Sequence, residues 1–256
     1  MKKTHILLSG LLLSISCIAN AEIKITEADP GNSLHLTSAT IVVGEEEEEV
    51  VKTVADCLAA DIELVTSTSP NVSVNLPQSG DVVVAGTIGT SKFLDELIKS
   101  GKVDASEVSG KWETYGLQMV ENPFDGIERA LVVFGSTPRG TAYGLFEISR
   151  LSGVSPWVWW ADVKPQTKSD LYASGNIYVS GEPSVKYRGI FINDEDFALH
   201  PWASKGLDKK YNNIGPNTYA KVMELLLRLR ANTLWPAMHL CSEAFWANKE
   251  KTDSGC

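Results

Sequence analysis

Tyr187-Arg188-Gly189-Ile190-Phe191-Ile192-Asn193-Asp194-Glu195-Asp196 is an apolar run that ends abruptly in a row of acids. Val185 to Ile192 has the β-branched and aromatic character of a strand. Downstream, Thr218 to Arg230 carries apolar residues at helical spacing. Val222, Leu225, Leu226 and Leu229 form its inner face, which leaves Lys221, Glu224 and Arg228 for water and Asn217 to cap the start. Asn232 to Pro236 then reads as a second strand. Strand, helix and strand in this order make one βαβ unit.

In a (β/α) barrel, catalytic side chains gather at the C-terminal ends of the strands, which is where Asn193, Asp194 and Glu195 fall. Carboxylates act as acid, base or nucleophile in most glycosidases. Acidic residues after a strand are also common turn formers, so a solvated loop is the competing reading. The following loop, Glu195 to Pro216, is long and holds Phe197, His200, Trp202, Tyr211, Asn212 and Asn213. Long loops at such a face build pockets. Trp235 ends the second strand on the same face, where its ring can stack on a sugar or simply pack. His239 can orient or protonate a substrate group, or be a surface histidine.

Upstream, apolar runs and helical patterns alternate. Ala39 to Val43 is strand-like, and the helix after it places Val51, Val54, Ala55, Leu58 and Ile62 on one face. Asp81 to Ala85 precedes a helix over Lys92 to Lys99, and Ala130 to Phe134 precedes another over Pro138 to Leu151. Short apolar strands separated by helices indicate an α/β layer with a largely buried sheet. Trp112 to Val120 alternates more and reads as a partly exposed, antiparallel strand. The acidic run Glu45 to Glu49 is assigned to the first turn of the first helix, where negative charge is favoured. Gly135-Ser136-Thr137-Pro138-Arg139-Gly140 lacks the Lys-Ser/Thr pair of a phosphate loop, and it reads as a tight helix start with Pro138 at the first helical position.

Met1-Lys2-Lys3, an apolar run from Ile6 to Ile18 and Ala19-Asn20-Ala21 have the order of a secretory signal peptide, so cleavage after Ala21 and a periplasmic or extracellular destination are expected. Cys17 raises a lipoprotein site, but the Ala-x-Ala pattern fits better. No later stretch has the length and apolarity of a membrane span. Cys57, Cys241 and Cys256 form neither a disulfide framework nor a metal motif, and no cofactor or metal is implied. The formal charge of −9 becomes −11 once Lys2 and Lys3 leave with the leader, which argues against a nucleic-acid partner.

Four segments carry a resemblance. Gly135-Ser-Thr-Pro-Arg-Gly-Thr-Ala-Tyr-Gly144, Gly153-Val-Ser-Pro-Trp-Val-Trp-Trp-Ala-Asp-Val163, Tyr187-Arg-Gly-Ile-Phe-Ile-Asn-Asp-Glu195 and Leu225-Leu-Leu-Arg-Leu-Arg-Ala-Asn-Thr-Leu-Trp-Pro-Ala-Met238 occur in order and resemble glycoside hydrolase family 115. The resemblance implies a xylan α-1,2-glucuronidase that removes glucuronic acid or its 4-O-methyl form with inversion. It implies an N-terminal α/β domain before a (β/α)8 catalytic barrel, and a glucuronoxylan or xylo-oligosaccharide substrate. It puts Asp194 in the active site, to activate or position the attacking water, with Asn193 beside it. Trp157, Trp159 and Trp160 match a family motif and read as packing between domains.

The expected organisation is a signal peptide over 1–21, a mixed α/β sandwich domain over 22–182 and the start of an incomplete (β/α)8 barrel over 183–256. Lys186 to Cys256 is 71 residues, room for about two of the roughly 30-residue units of such a barrel. The ending Lys249 to Cys256 departs from the family and reads as an early stop, a shifted frame or an incomplete sequence. The fragment alone is therefore expected to be inactive, with its general acid elsewhere. Two alternatives stand beside this reading: a non-catalytic exported glycan-binding protein, and a fragment of a hexosaminidase-like glycosidase. The oligomeric state is not legible in the residues.

Overall fold

A computed structural model describes residues 22–193 and 195–238. In chain order the elements are β1 (Lys24–Thr26), β2 (Leu34–His35), a 3-10 turn (Leu36–Ser38), β3 (Thr40–Val43), α1 (Glu49–Thr66), β4 (Val72–Ser73), β5 (Val82–Thr87) and α2 (Lys92–Lys99). Then follow β6 (Tyr115–Glu121), β7 (Arg129–Gly135), α3 (Pro138–Ser152), β8 (Tyr172–Ser174) and β9 (Ile177–Val179). The last stretch holds β10 (Gly189–Phe191), a π-helical turn (Glu195–Leu199), α4 (His200–Lys205), α5 (Pro216–Arg228) and β11 (Thr233–Trp235).

The main sheet has the order β4-β3-β5-β7-β6-β9. Strands β4, β3, β5 and β7 run parallel, and β6 lies antiparallel between β7 and β9. Successive strand residues point to opposite faces, and both faces here are apolar. Ile41, Val43, Val83, Ala85, Leu131 and Val133 pack with α1 and α3. Val42, Val82, Val84, Val132 and Phe134 pack with Leu94 and Leu97 of α2 on the other side. This is why the strands read as continuous apolar runs. The small β1-β8-β2 sheet adds Ile25, Leu34 and Ala173 to the α1 and α3 side.

Local sequence accounts for the helix starts. The Ser91 hydroxyl accepts from Leu94 N at α2, and Thr137 accepts from Gly140 N at α3, with Pro138 in the first turn. Gly135 is needed because a Cβ there would strike the Thr141 backbone nitrogen.

Two expectations need correction. Strand β6 is antiparallel as read, but β9 covers its outer edge, and Tyr115, Gly116, Leu117 and Val120 are buried. The acidic run is not a first helical turn: only Glu49 lies within α1. Glu46 instead accepts from Lys92 N at the start of α2 (2.7 Å), and buried Glu47 accepts from Thr87 N (2.6 Å) and Thr87 Oγ1 (2.8 Å). The charges serve partners 40 and 46 residues away in sequence, which a local dipole rule does not see.

Candidate active site

Strands β10 and β11 pair in parallel, with Gly189 opposite Thr233, Ile190 opposite Leu234 and Phe191 opposite Trp235. The ladder runs on through Ile192 N to Trp235 O (2.9 Å), so the two chains leave the sheet together. At the other end, Arg188 O accepts from Asn232 N and Thr233 N, while Asn232 Oδ1 accepts from Arg188 N. Gly189 permits this approach, since a Cβ there would meet the Thr233 carbonyl.

Helix α5 covers one face of this pair. Ile192 and Leu234 join Val222, Met223 and Leu226 in an apolar cluster. Phe191 and Trp235 occupy the opposite face, ring centroids 5.0 Å apart, 49% and 57% exposed. Asn193 follows, exposed, at the end where both strands terminate. Trp235 Nε1 donates to the Met238 sulfur at 3.0 Å. Asn193 and Trp235 therefore lie at one end of one βαβ unit. Glu195 opens the π-helical turn that leaves this end. Asp194 and His239 lie outside the described residues.

The loop after β10 is organised by an acid that sequence reading missed. Asp208 is 1% exposed, and its carboxylate accepts from Gly215 N, Asn217 N, Thr218 N and the Thr218 hydroxyl. It thereby satisfies the orphan N–H groups at the start of α5. Asn217 is not the cap; its side-chain amide donates to Leu207 O. The signal was present as an Asp before a Pro-started helix, but seven residues separate the two.

A second missed feature is the set of arginines that fastens this unit to the rest. Arg228, expected to face water, is 6% exposed at its side chain and donates to both Asp61 oxygens on α1 (2.7 and 2.9 Å) and to Glu224. Leu229, expected inside, is 41% exposed. Arg230 donates to Glu147 of α3 at 2.7 Å. Burial alone would raise the Glu147 carboxyl, but the hydrogen bonds from Arg150 and Arg230 and their charges hold it below its ordinary value.

Glu113, with a wholly buried side chain and left-handed φ of 46°, accepts from Arg139 (2.7 Å), Arg188 (2.6 Å) and Asn232 (2.9 Å). One carboxylate thus ties together the residues just before β10 and β11. The Tyr143 hydroxyl donates to Ala231 O at 3.0 Å, and burial pushes it up to about 12. Trp160 Nε1 donates to Lys221 O at 3.1 Å, which gives it the packing role expected of the tryptophan motif.

Cavities of about 460 and 440 Å³ lie beside this joint, the first lined by Arg139, Met223 and Leu234, the second by Glu113, Arg188 and Arg230. Neither is lined by Asn193 or Trp235, so both lie away from the strand ends. Among the described residues no group of three His, Cys, Asp or Glu is arranged to hold a metal ion, and no helix is long and apolar enough to cross a membrane.

The family model described as glycosyl hydrolase family 115 matches residues 180–254, the whole of this βαβ unit. A solved family 115 4-O-methyl-α-glucuronidase, with specificity for decorated arabinogalactans, is 41% identical over 85% of this chain, with a TM-score of 0.74. The chain belongs to glycosyl hydrolase family 115. It spans 27% of the length of that family 115 relative. A Streptomyces plicatus β-hexosaminidase mutant with bound GlcNAc is 13% identical over 84% of this chain and 32% of its own, with a TM-score of 0.46. A family 20 β-N-acetylhexosaminidase from Streptomyces coelicolor is 13% identical over 84% and 33%, with a TM-score of 0.43. Likenesses this weak bear on neither fold nor chemistry, and the hexosaminidase alternative gives way to family 115. No curated protein sequence matches the chain.

Proposed function

We propose that the chain forms the front part of an exported family 115 glycoside hydrolase that removes glucuronic acid or 4-O-methylglucuronic acid from a plant glycan. The observation that supports this best is the parallel β10–α5–β11 unit, matched by the family model, with Asn193 and Trp235 together at the ends of its strands. In this reading the unit opens a (β/α)8 barrel, and the chain's first 21 residues are a leader. Trp235 and Phe191 form an apolar floor for a sugar ring, and Asn193 offers both a donor and an acceptor to its hydroxyls. Asp194 activates or positions the attacking water, and Glu195 and His239 are assigned to substrate binding. Inversion needs a second carboxyl about 6.5 to 9.5 Å from the first, and we assign it to sequence beyond this βαβ unit.

The glycan main chain is either xylan, as the resemblance implies, or arabinogalactan, the substrate of the solved relative. A family-length version of the protein, incubated with glucuronoxylan and with uronic-acid-decorated arabinogalactan, should release a free uronic acid from one of them. The 256-residue chain alone should release none. Release of N-acetylhexosamine, or of no sugar by the longer protein, would overturn the assignment.

A further inference from the structure

The tryptophans before β8 do not all serve the joint. Trp160 is held by Lys221 O and packs against the cluster under β10. Trp159 stays 36% exposed, and Trp202 of α4 is 44% exposed. The three indoles meet at centroid distances of 4.9 to 5.7 Å, with Trp159 edge-on to both others and Trp160 tilted 35° from Trp202. Beside them lies a cleft of about 650 Å³, lined also by Val158, Asp162, Ala198 and Leu199. The π-helical turn and α4, which follow directly from the Asn193 end of β10, supply one wall.

Two properties of this cleft select a ligand. Three tryptophans line it beside the aliphatic Val158, Ala198 and Leu199, and an indole face matches the flat apolar C–H face of a pyranose ring. Among the described residues that line it the ionisable one is an acid, Asp162, whose carboxylate accepts hydrogen bonds from sugar hydroxyls but repels a uronate, while the Lys221 ammonium over the Trp159 ring is already paired with Glu224. We propose that the Trp159–Trp202 cleft binds a neutral pyranose of the glycan main chain. It is a holding site separate from the one that takes the charged uronic acid. This deepens the glycan-processing reading and rests on it: the acid side group goes to the strand ends, and the neutral chain lies on the tryptophans. The volume is within the range that takes a small ligand, with a few placed polar groups among apolar walls.

Calorimetric titration of the 256-residue chain with xylohexaose, with a β-1,3-linked galactohexaose and with sodium glucuronate tests this. One neutral oligosaccharide should bind, glucuronate should not, and Trp159→Ala and Trp202→Ala should each weaken binding about ten-fold or more. If Trp159→Ala fails to fold by circular dichroism, Trp202→Ala decides, because Trp202 is a half-exposed residue on a short helix. No neutral binding at millimolar sugar, equal binding of glucuronate, or binding that survives Trp202→Ala would overturn the proposal. Uronic acid release by the family-length protein is scored separately. Lost binding with intact release removes the cleft alone, and intact binding without release removes the enzymatic assignment alone.

Discussion

Glu113 shows how much one residue can hold. Its side chain is fully buried, its backbone sits at a φ that few side chains adopt, and it accepts from two arginines and an asparagine brought from three parts of the chain. Removing one partner of a buried ionic group leaves the others uncompensated, which costs about 3 to 5 kcal/mol. Arg139 is half-exposed and recovers water, so the expected loss for Glu113→Ala is near the lower end, about 3 kcal/mol, and for Glu113→Gln it is smaller because the acceptor oxygen remains. Chemical denaturation measures both. A Glu113→Ala stability within about 1 kcal/mol of the parent, below the range for a broken buried pair, would show that the cluster is not a fastening. Sequence alone hid this residue, because nothing near Glu113 announces partners 75 and 119 residues later.

At the scale of elements, Glu147 of α3 holds Arg230 just beyond α5, while Glu224 pairs with Lys221 and Arg228 of its own helix, and both carboxylates have lowered proton affinity. Burial opposes ionisation of Glu147, but Arg150 and Arg230 outweigh it; burial likewise opposes Glu224, and Lys221 and Arg228 outweigh it. Both folded values lie below the ordinary 4.5. The unfolded state therefore binds more protons below that pH, and the stabilisation, full above it, is lost as pH falls through the folded values. Glu47 is shifted the other way, by burial against the opposing hydrogen bonds from Thr87, so acid does not weaken the main sheet there. Brief pepsin digestion between pH 4.5 and 3 should thus cut first between residues 180 and 188, where the two parts connect. First cuts within β3, β5 or β7 would contradict this ordering. The elements themselves were legible: α2 has the expected bounds, and the apolar runs are β3, β5, β7, β10 and β11, because each is specified by local pattern. Periodicity misjudged the polar side of α5, since it cannot tell a water-facing arginine from one that meets Asp61 from 167 residues away.

For the whole molecule, the joint means that the α/β part and the β10–α5–β11 unit are packed together by Arg188, Arg228 and Arg230, not merely linked through Gly181-Glu182-Pro183. Of the candidate site, the strand ends and the neighbourhood of Asn193 and Trp235 were legible from an apolar run breaking into acids. The cap Asp208, the arginine fastening and the open tryptophan cleft were not, because each depends on residues that only folding brings together. The proposed activity stands on chemistry at the end of β10. Asp194→Asn in a family-length version of the protein tests it most directly, since the change keeps shape and removes charge, with Glu195→Gln and Asp196→Asn as comparisons. For Asp194→Asn, kcat for uronic acid release from saturating glycan should fall about 10²-fold or more at unchanged melting temperature, and only mildly for the other two. A near-normal kcat for Asp194→Asn, or three equally mild losses, would contradict it.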